Sequence, residues 1–261
     1  MYELCWNITD QCNMGCKYCH RFLNVKNLTE EENKKTLQNI LDCGIKNITW
    51  TGGEALLLDF LPNLLREAHQ AGVKNKLITN GLLLNKRLPE IKDYLDSVTL
   101  SIDSTRSLTN KVIGRGEKHF EQIAKNIKEI NKCKIPLSIN SVLTKVNMDD
   151  IIELGEFLQE NNITRWRIFK FMPLREISIR NKELFDISNE EYQNKIQKIT
   201  KLFPNIKLEE RTISEFEKLY VLILANGDIV VTKNNKDVTI GNALNDNLKV
   251  ILKKLSESIE I

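Results

Sequence analysis

Long apolar runs and an excess of charge of one sign are both missing from this chain of 261 residues. No segment approaches the roughly 18 consecutive apolar residues of a transmembrane span. Residues 1–10 lack the basic start and apolar run of a signal peptide. The 38 Lys and Arg nearly balance the 35 Asp and Glu, for a net charge of +3. We therefore expect a cytoplasmic protein with neither a nucleic-acid polymer nor a membrane as partner, although a local basic pocket is allowed.

A disulfide framework is also missing, because three of the six cysteines lie within eight residues and the other three are scattered. In a reducing compartment, a crowded set of thiols favours a metal site. Cys5, Cys43 and Cys133 lie in apolar strand or helix patterns, which favours small core residues over ligands.

An alternation of strand and helix patterns fills residues 1–172. The predicted strands cover residues 2–8, 47–50, 76–79, 97–102, 137–142 and 165–171. The predicted helices cover residues 29–43, 60–71, 91–95, 119–131 and 149–159. Strands separated by helices of this length predict βαβ units and a parallel sheet. The fold class is therefore α/β, a partial (β/α)6 barrel with its functional residues at the C-terminal ends of the strands.

The regular alternation stops at residue 172, and residues 173–261 predict a short C-terminal α/β extension that covers the active site. Residues 173–187 predict an extended loop, and residues from about 190 to 202 a helix. Two short strands are predicted at 220–224 and 229–232, joined by Asn226-Gly227, a strong hairpin signal. A short helix is predicted from about Asn247 onward.

Cys12, Cys16 and Cys19 form a CxxxCxxC motif directly after the first predicted strand. Three thiolates on one tight loop can ligate three irons of a [4Fe–4S] cubane and leave the fourth iron without a protein ligand. Two alternatives stay open at this point. A structural zinc site needs four ligands, and only His20 is nearby. The spacing of three buried cysteines could also arise by chance.

The cysteine motif resembles that of the radical S-adenosylmethionine (SAM) superfamily, and matching residues follow at successive strand ends. Gly52-Gly53-Glu54 ends the second predicted strand and resembles the superfamily's GGE motif, which holds the amino group of SAM. Asn80 ends the third strand, and Ser101 and Asp103 end the fourth. Tyr18 is similar to the aromatic residue placed against the adenine. The resemblance assigns SAM binding to Tyr18, Gly52, Gly53, Glu54, Asn80, Ser101, Asp103, Arg115 and Asn140.

The resemblance also implies the chemistry. A reduced [4Fe–4S] cluster would pass one electron to bound SAM, and the C5′–S bond would break to give methionine and a 5′-deoxyadenosyl radical. That radical would abstract a hydrogen atom from the substrate, while the protein positions and shields the reactants. A flavodoxin- or ferredoxin-type reductant is implied as a partner.

Within the superfamily, the middle of the chain resembles viperin-like enzymes, which dehydrate CTP-type nucleotides. Residues 101–104 with 113–116, 139–142 and 165–170 carry the likeness. It implies that Arg115 pairs with the carboxylate of the SAM methionine, although a glycine-flanked surface arginine would look the same. A weaker likeness makes Tyr220 a candidate catalytic hydrogen donor, with a buried strand tyrosine as the alternative. Candidate cations for a triphosphate are Arg167, Lys170 and Arg175, followed by Arg180, Arg211 and Lys233.

Two departures weaken the substrate assignment. Leu137-Ser138 stands where viperin-like enzymes carry a lysine, and residues 172–175 replace an acidic stretch.

One alternative function is a single-cluster maturase of a ribosomal peptide, either an epimerase or a crosslinking enzyme. No cysteine follows Cys133, which excludes auxiliary clusters ligated by that region. The other alternative, a non-catalytic Fe–S sensor, would not need the SAM-binding landmarks.

Overall fold

The computed structural model describes residues 3–257, in which ten strands form a single sheet with helices packed against it. The first part of the chain contains β1 (Glu3–Asn7), α1 (Glu30–Asp42), β2 (Asn47–Thr51), α2 (Leu61–Gln70), β3 (Lys74–Thr79), α3 (Leu84–Ile91), β4 (Ser97–Ser101), α4 (Ser107–Ile113), α5 (His119–Lys132), β5 (Leu137–Leu143), α6 (Ile151–Glu160) and β6 (Arg165–Lys170). The second part contains α7 (Glu176–Arg180), α8 (Lys182–Phe185), α9 (Asn189–Leu202), β7 (Lys207–Arg211), α10 (Ile213–Leu219), β8 (Tyr220–Ile223), β9 (Asp228–Lys233), β10 (Lys236–Asn242) and α11 (Leu248–Glu257).

The strand order is β10-β9-β8-β1-β2-β3-β4-β5-β6-β7. Strands β1 to β6 pair in chain order and all run parallel, which confirms the predicted partial barrel. Strand β7 adds a further parallel strand beside β6, and β8 adds one on the other side of β1. Helix α10 contacts both β7 and β9, so it connects the two ends of the sheet. The carboxyl ends of the parallel strands therefore surround one space.

The sheet buries apolar side chains against the helices and turns polar side chains inward. Trp6 and Trp50 stack on the helix side with ring centroids 5.1 Å apart, and neither is exposed. Trp166 is likewise fully buried. On the inner face, many positions that would fill the centre of a closed barrel are polar or charged instead. They include Asn7, Thr49, Thr51, Lys76, Thr99, Ser101, Ser138, Asn140 and Arg167.

Local signals in the sequence account for several element ends. The predicted capping box at α1 is present, because Thr29 Oγ1 accepts from Glu32 N at 3.3 Å and Glu32 accepts from Thr29 N at 2.8 Å. The predicted Asn226-Gly227 hairpin joins β8 to β9, with Gly227 at a φ of 85°. The predicted first strand also included residue 2, which lies outside the described residues.

Two predictions about secondary structure are wrong, and several elements were missed. The segment 173–187 contains α7 and α8, which have five and four residues and are too short to show helical periodicity. Helix α3 lies upstream of the helix predicted at 91–95, where the chain forms a 3-10 turn, and α3 contains Pro89. Helices α4 and α10 and strands β7 and β10 were not predicted. Strand β7 has the sequence KLEER, whose charged residues give no apolar alternation.

The predicted boundary at residue 172 falls between β6 and α7, and strands from both sides share the sheet. The division into a core of residues 1–172 and an extension of residues 173–261 that covers the active site stays a prediction. The interpretation of Cys133 as a core residue is wrong, because this thiol is exposed at the C-terminal end of α5. Within residues 3–257, no helix combines the length and the apolar character that crossing a bilayer requires.

Candidate active site

The inner face of the sheet and the loops at the carboxyl ends of its strands enclose a cavity of about 360 Å³. Sixteen predicted site residues line this cavity, and their roles stay predictions, whereas the candidate cations Arg180, Arg211 and Lys233 do not line it. The sixteen are Cys12, Cys16, Tyr18, Cys19, Gly52, Gly53, Glu54, Asn80, Ser101, Asp103, Arg115, Asn140, Arg167, Lys170, Arg175 and Tyr220. The topology explains this convergence, since parallel strands present their carboxyl ends at one edge of the sheet.

The cysteine loop lies against the Gly-Gly turn at the end of β2. Gly53 N donates to Thr9 O at 2.7 Å, and Glu54 N donates to Gln11 O at 2.8 Å. A Cβ at Gly53 would lie 2.0 Å from Gln11 O. The sequence interpretation attributed these glycines to close approach of a ligand. The structure shows that they first allow close approach of the cysteine loop's own backbone.

The other side of the cysteine loop lies against the end of α4. Lys17 N donates to Ile113 O at 2.8 Å. Gly114 follows with a φ of 96°, and a Cβ there would lie 2.2 Å from Gly15 O. The loop is therefore held between β2 and α4. The unpredicted helix α4 thus contributes to the site through its backbone.

The three thiols of the loop fit an iron–sulfur cluster by donor type. Burial raises the pKa of Cys16 to about 11, although Arg115 opposes this shift, and burial also raises the pKa of Cys19. Thiolates at such positions require a compensating cation, which iron supplies. Among residues 3–257, no three His, Cys, Asp or Glu side chains converge on a single-ion site. A cubane does not need such convergence, because each thiolate ligates a different iron.

Asp103 is the centre of a buried polar network. Its carboxylate accepts from the Tyr18 hydroxyl, from Arg115 Nε at 2.5 Å and from Val142 N at 2.8 Å. The side chains of Asp103 and Arg115 are 0% and 6% exposed. Although burial disfavours the charge, Asp103 raises the pKa of Arg115 well above its usual value. The network fixes the guanidinium at the cavity wall, with the Tyr18 ring 5.8 Å away.

Glu54 is buried at the end of β2, where its carboxylate accepts only neutral donors. Thr79 Oγ1 and Asn80 N donate to it at 2.8 Å each, and Leu56 N donates at 3.2 Å. Burial outweighs these bonds and raises the pKa of Glu54 above its usual value. A positively charged amino group in the cavity would offset this burial, so the site fits the ammonium of SAM.

Asn80 connects Glu54 to the cysteine loop. Its Nδ2 donates to Asn13 Oδ1 at 2.8 Å and lies 3.7 Å from Cys12 Sγ. The backbone carbonyl oxygen of Asn80 lies 3.0 Å from His119 Nε2. Burial lowers the pKa of His119 to about 4, so the ring is neutral near pH 7. His119 is thus a support for Asn80 that the sequence analysis did not identify.

Glu209 on β7 organises the arginines on the wall formed by β6 and β7. It accepts from Arg165 Nε at 2.6 Å, from Arg167 Nε at 3.1 Å and from Arg211 Nη2 at 2.9 Å. Burial opposes its ionisation, but these arginines lower the pKa of Glu209 below its usual value. Arg167 also lies 3.4 Å from Asn140 Oδ1. Because β7 was not predicted, Glu209 was missed.

The guanidinium of Arg175 is hydrogen-bonded to other residues of the chain. Its Nε and Nη2 donate to the two oxygens of Asp237 at 2.9 Å each, and its Nη1 donates to His20 O at 2.6 Å. Its guanidinium lies 3.9 Å from the centroid of the Phe22 ring. Burial and the nearby Arg175 lower the pKa of His20 to about 3. Arg175 therefore ties strand β10 to the segment after the cysteines, and its predicted role in substrate binding is untested.

Tyr220 begins β8 and is 9% exposed. Its hydroxyl oxygen accepts from Arg211 Nε at 3.4 Å, and its ring lies 5.0 Å from that of Phe216. Cys5 also lines the cavity, in the same apolar cluster as Tyr220. The structure therefore places both the predicted hydrogen donor and a predicted core thiol at the cavity wall.

The substitution Gly53→Ala should destabilise the protein by about 2–3 kcal/mol and reduce iron loading, because the new Cβ would overlap Gln11 O. Gly15→Ala is the matched control, since a Cβ at Gly15 meets no atom within 4 Å. Its stability should stay within about 0.5 kcal/mol of the parent. Anaerobic denaturant unfolding and iron analysis measure both effects. Equal stability of the two variants would contradict the close-approach argument.

Residues 6–158 match the sequence profile of the radical SAM superfamily. The chain therefore belongs to this superfamily, and it is a SAM-dependent enzyme. Membership implies SAM and an iron–sulfur cluster as cofactors. The interpretation as a non-catalytic sensor is therefore wrong, and the family resemblance drawn from the cysteine and Gly-Gly-Glu motifs is confirmed.

Two relatives carry the name S-adenosylmethionine-dependent nucleotide dehydratase. The one from Flammeovirga pacifica is 31% identical over 231 residues, which cover 84% of this chain and 78% of that relative. The one from Lacinutrix mariniflava is 34% identical over 203 residues, covering 72% of this chain but only 42% of that relative. SuiB from Streptococcus suis, solved with its precursor peptide SuiA, has a TM-score of 0.77 at 20% identity. That match covers 95% of this chain and 64% of the SuiB chain, and it shows the fold.

Proposed function

We propose that this protein is a viperin-like nucleotide dehydratase that acts on a CTP-type nucleoside triphosphate. The charge of the cavity carries this proposal. Two carboxylates line it, Glu54 and Asp103. Among the described side chains, seven cations line it, namely Arg21, Lys76, Arg115, Arg165, Arg167, Lys170 and Arg175. Glu209 and Asp237 pair with three of these arginines from outside the lining, and the cations still outnumber the four carboxylates by three. Such an excess suits a polyanionic substrate, and the names of the two relatives agree with it.

The cofactor side of the cavity would hold a [4Fe–4S] cluster on Cys12, Cys16 and Cys19. When bound, the cluster and SAM supply a 5′-deoxyadenosyl radical that abstracts a hydrogen atom from the substrate. Glu54 would bind the SAM ammonium, since no described residue gives this buried carboxylate a cationic partner. Arg115, held by Asp103, would offer its remaining N–H groups to the SAM carboxylate.

The SAM nucleoside would lie near polar strand ends. Tyr18 is fixed by the bond from its hydroxyl to Asp103, so its ring can present a constant face to the adenine. Ser101 and Asn140 pair in register on β4 and β5 and face the same space. Gly52 and Gly53 leave backbone groups accessible beside Glu54. These positions would orient the nucleoside and exclude water from the reacting centre.

The substrate side would use Arg167 and Lys170 for phosphate oxygens. Arg167 is preorganised by Glu209, whereas the Lys170 ammonium makes no hydrogen bond or ion pair with a described side chain. Arg175 would reach a substrate only if its bonds to Asp237 opened. Tyr220 would donate a hydrogen atom from the cavity wall, with its electron passing to the substrate radical and its proton leaving with the substrate hydroxyl as water. The need for reduced thiols and for a flavodoxin- or ferredoxin-type electron donor supports a cytoplasmic reaction.

The test is 5′-deoxyadenosine formation by anaerobically reconstituted enzyme with SAM and dithionite. One nucleoside triphosphate should accelerate it by about tenfold or more, because substrate binding completes the reactive geometry. Each of the four ribonucleoside triphosphates should be compared with its nucleoside at the same concentration. If no nucleotide changes the rate while SAM is still cleaved slowly, the proposal fails and a ribosomal peptide becomes the better substrate.

A further inference from the structure

Lys76 is a cation on the inner wall of the sheet that the sequence analysis did not single out. It lies in β3, where Asn75 and Leu77 are fully buried and Asn75 Nδ2 donates to Leu65 O of α2. Alternation along the strand therefore turns Lys76 and Ile78 to the cavity, and both line it. Lys76 is half-buried.

The described neighbours of Lys76 on the adjacent strands carry hydroxyls. Its Cα is in register with Thr49 of β2 and with Ser97 of β4. The next inward residue of β4 is Thr99, whose Oγ1 lies 2.8 Å from Ser138 Oγ of β5. Of the two carboxylates that line the cavity, Asp103 is paired with Arg115, and Glu54 lies at the carboxyl end of β2. The Lys76 ammonium has no hydrogen bond or ion pair with any side chain that the structure describes.

An inward-facing ammonium with no counter-ion costs free energy through partial desolvation. The cost is offset when a bound anion supplies the missing charge. Glu209 neutralises part of the charge of Arg165 and Arg167 on the opposite part of the wall, whereas nothing described neutralises Lys76. The cavity therefore has an uncompensated positive charge toward the amino ends of its strands, far along the wall from the cysteine loop.

The position of Lys76 complements that of Ser138. The resemblance places a lysine at residue 138 on β5, and this chain has a hydroxyl there instead. Lys76 lies two strands away on the same inner surface, one inward position closer to the amino ends of the strands than the Thr99–Ser138 pair. A flexible lysine can reach across β4 from such a position, because its charge sits on a long unbranched stem.

We propose that Lys76 binds the terminal phosphate of the nucleoside triphosphate, so that β3 supplies the cation that β5 lacks. This inference rests on the proposed nucleotide dehydratase function. The ammonium would act as a point charge with rotatable donors, which suits a terminal phosphate that has no fixed plane. Lys76 thereby makes the enzyme prefer triphosphates over diphosphates.

The experiment measures binding by calorimetry to the reconstituted enzyme with SAM, using inorganic tripolyphosphate and the preferred nucleoside tri- and diphosphates. Lys76→Ser should weaken triphosphate binding about 10- to 100-fold, as expected for losing a charge-assisted hydrogen bond. Diphosphate binding should change by less than about threefold. Lys76→Arg should stay near the parent. Adding Ser138→Lys to Lys76→Ser should restore at least part of the triphosphate preference.

The matched control is Lys74→Ser, an exposed lysine on the same strand that does not line the cavity. It should bind tripolyphosphate as the parent does. If Lys76→Ser keeps its iron content and its triphosphate preference, the role of Lys76 is overturned and the proposed function stands. If the parent binds neither a nucleotide nor tripolyphosphate, both proposals fall. If both lysine variants weaken binding equally, the effect is general charge and the Lys76 site is overturned.

Discussion

Cys16→Ala should yield protein that loses most of its iron, its absorbance at roughly 400 nm and all SAM cleavage above background. Cys16 is one of three thiols on the loop held between β2 and α4, and alanine leaves no side-chain ligand at its position. Reconstitution under anaerobic conditions, followed by iron analysis and visible absorption, measures the effect.

Cys133→Ala is the matched control for this experiment. Its thiol is exposed at the end of α5 and does not line the cavity. Iron content and SAM cleavage should therefore match the parent. Retention of full iron and colour by Cys16→Ala would show that the cluster is held elsewhere, and the assignment of the CxxxCxxC motif would be wrong.

Asp103→Ala should destabilise the protein by about 3–5 kcal/mol, because it leaves the Arg115 charge buried without its partner. The double variant Asp103→Ala/Arg115→Ala should recover part of that loss, since it removes the unpaired charge. Both variants should bind SAM more weakly than the parent. Anaerobic denaturant unfolding and equilibrium SAM binding are the measurements.

An exposed ion pair serves as the control for Asp103. Glu117 pairs with Lys111 at 2.7 Å, and these side chains are 51% and 65% exposed. Glu117→Ala should cost less than about 1 kcal/mol, because solvent screens such pairs. A cost for Asp103→Ala as small as that of Glu117→Ala would contradict the buried network. Normal SAM affinity in the double variant would mean that the SAM pocket is misplaced.

The parts of the site that the sequence predicted are those encoded locally. CxxxCxxC, Gly52-Gly53-Glu54 and Asn80 each follow a strand whose apolar pattern is visible in the chain. Their convergence then follows from the parallel sheet alone. The Asn226-Gly227 hairpin was predictable for the same reason, because its turn chemistry lies within two residues.

The parts that the sequence did not predict depend on pairing across long separations. Glu209 lies on a strand of charged residues that pairs with β6, where its carboxylate contacts the arginines of that strand. The sequence analysis treated Arg175 as a cation available to the substrate. In the structure both carboxylate oxygens of Asp237, 62 residues later in the chain, accept hydrogen bonds from its guanidinium. The sequence analysis did not distinguish Lys76 from the other lysines. The alternation of side chains along β3 in the structure shows that it faces the cavity. No pattern in the neighbouring sequence predicts these long-range contacts.

The attachment of the cysteine loop to Gly53 and Gly114 has a consequence for cofactor assembly. Both attachments use backbone hydrogen bonds or close backbone contacts, and none of them uses a thiol. The groups that order the loop are therefore different from the groups that would bind the cluster. This separates the loop from a zinc finger, in which the same side chains bind the metal and hold the fold.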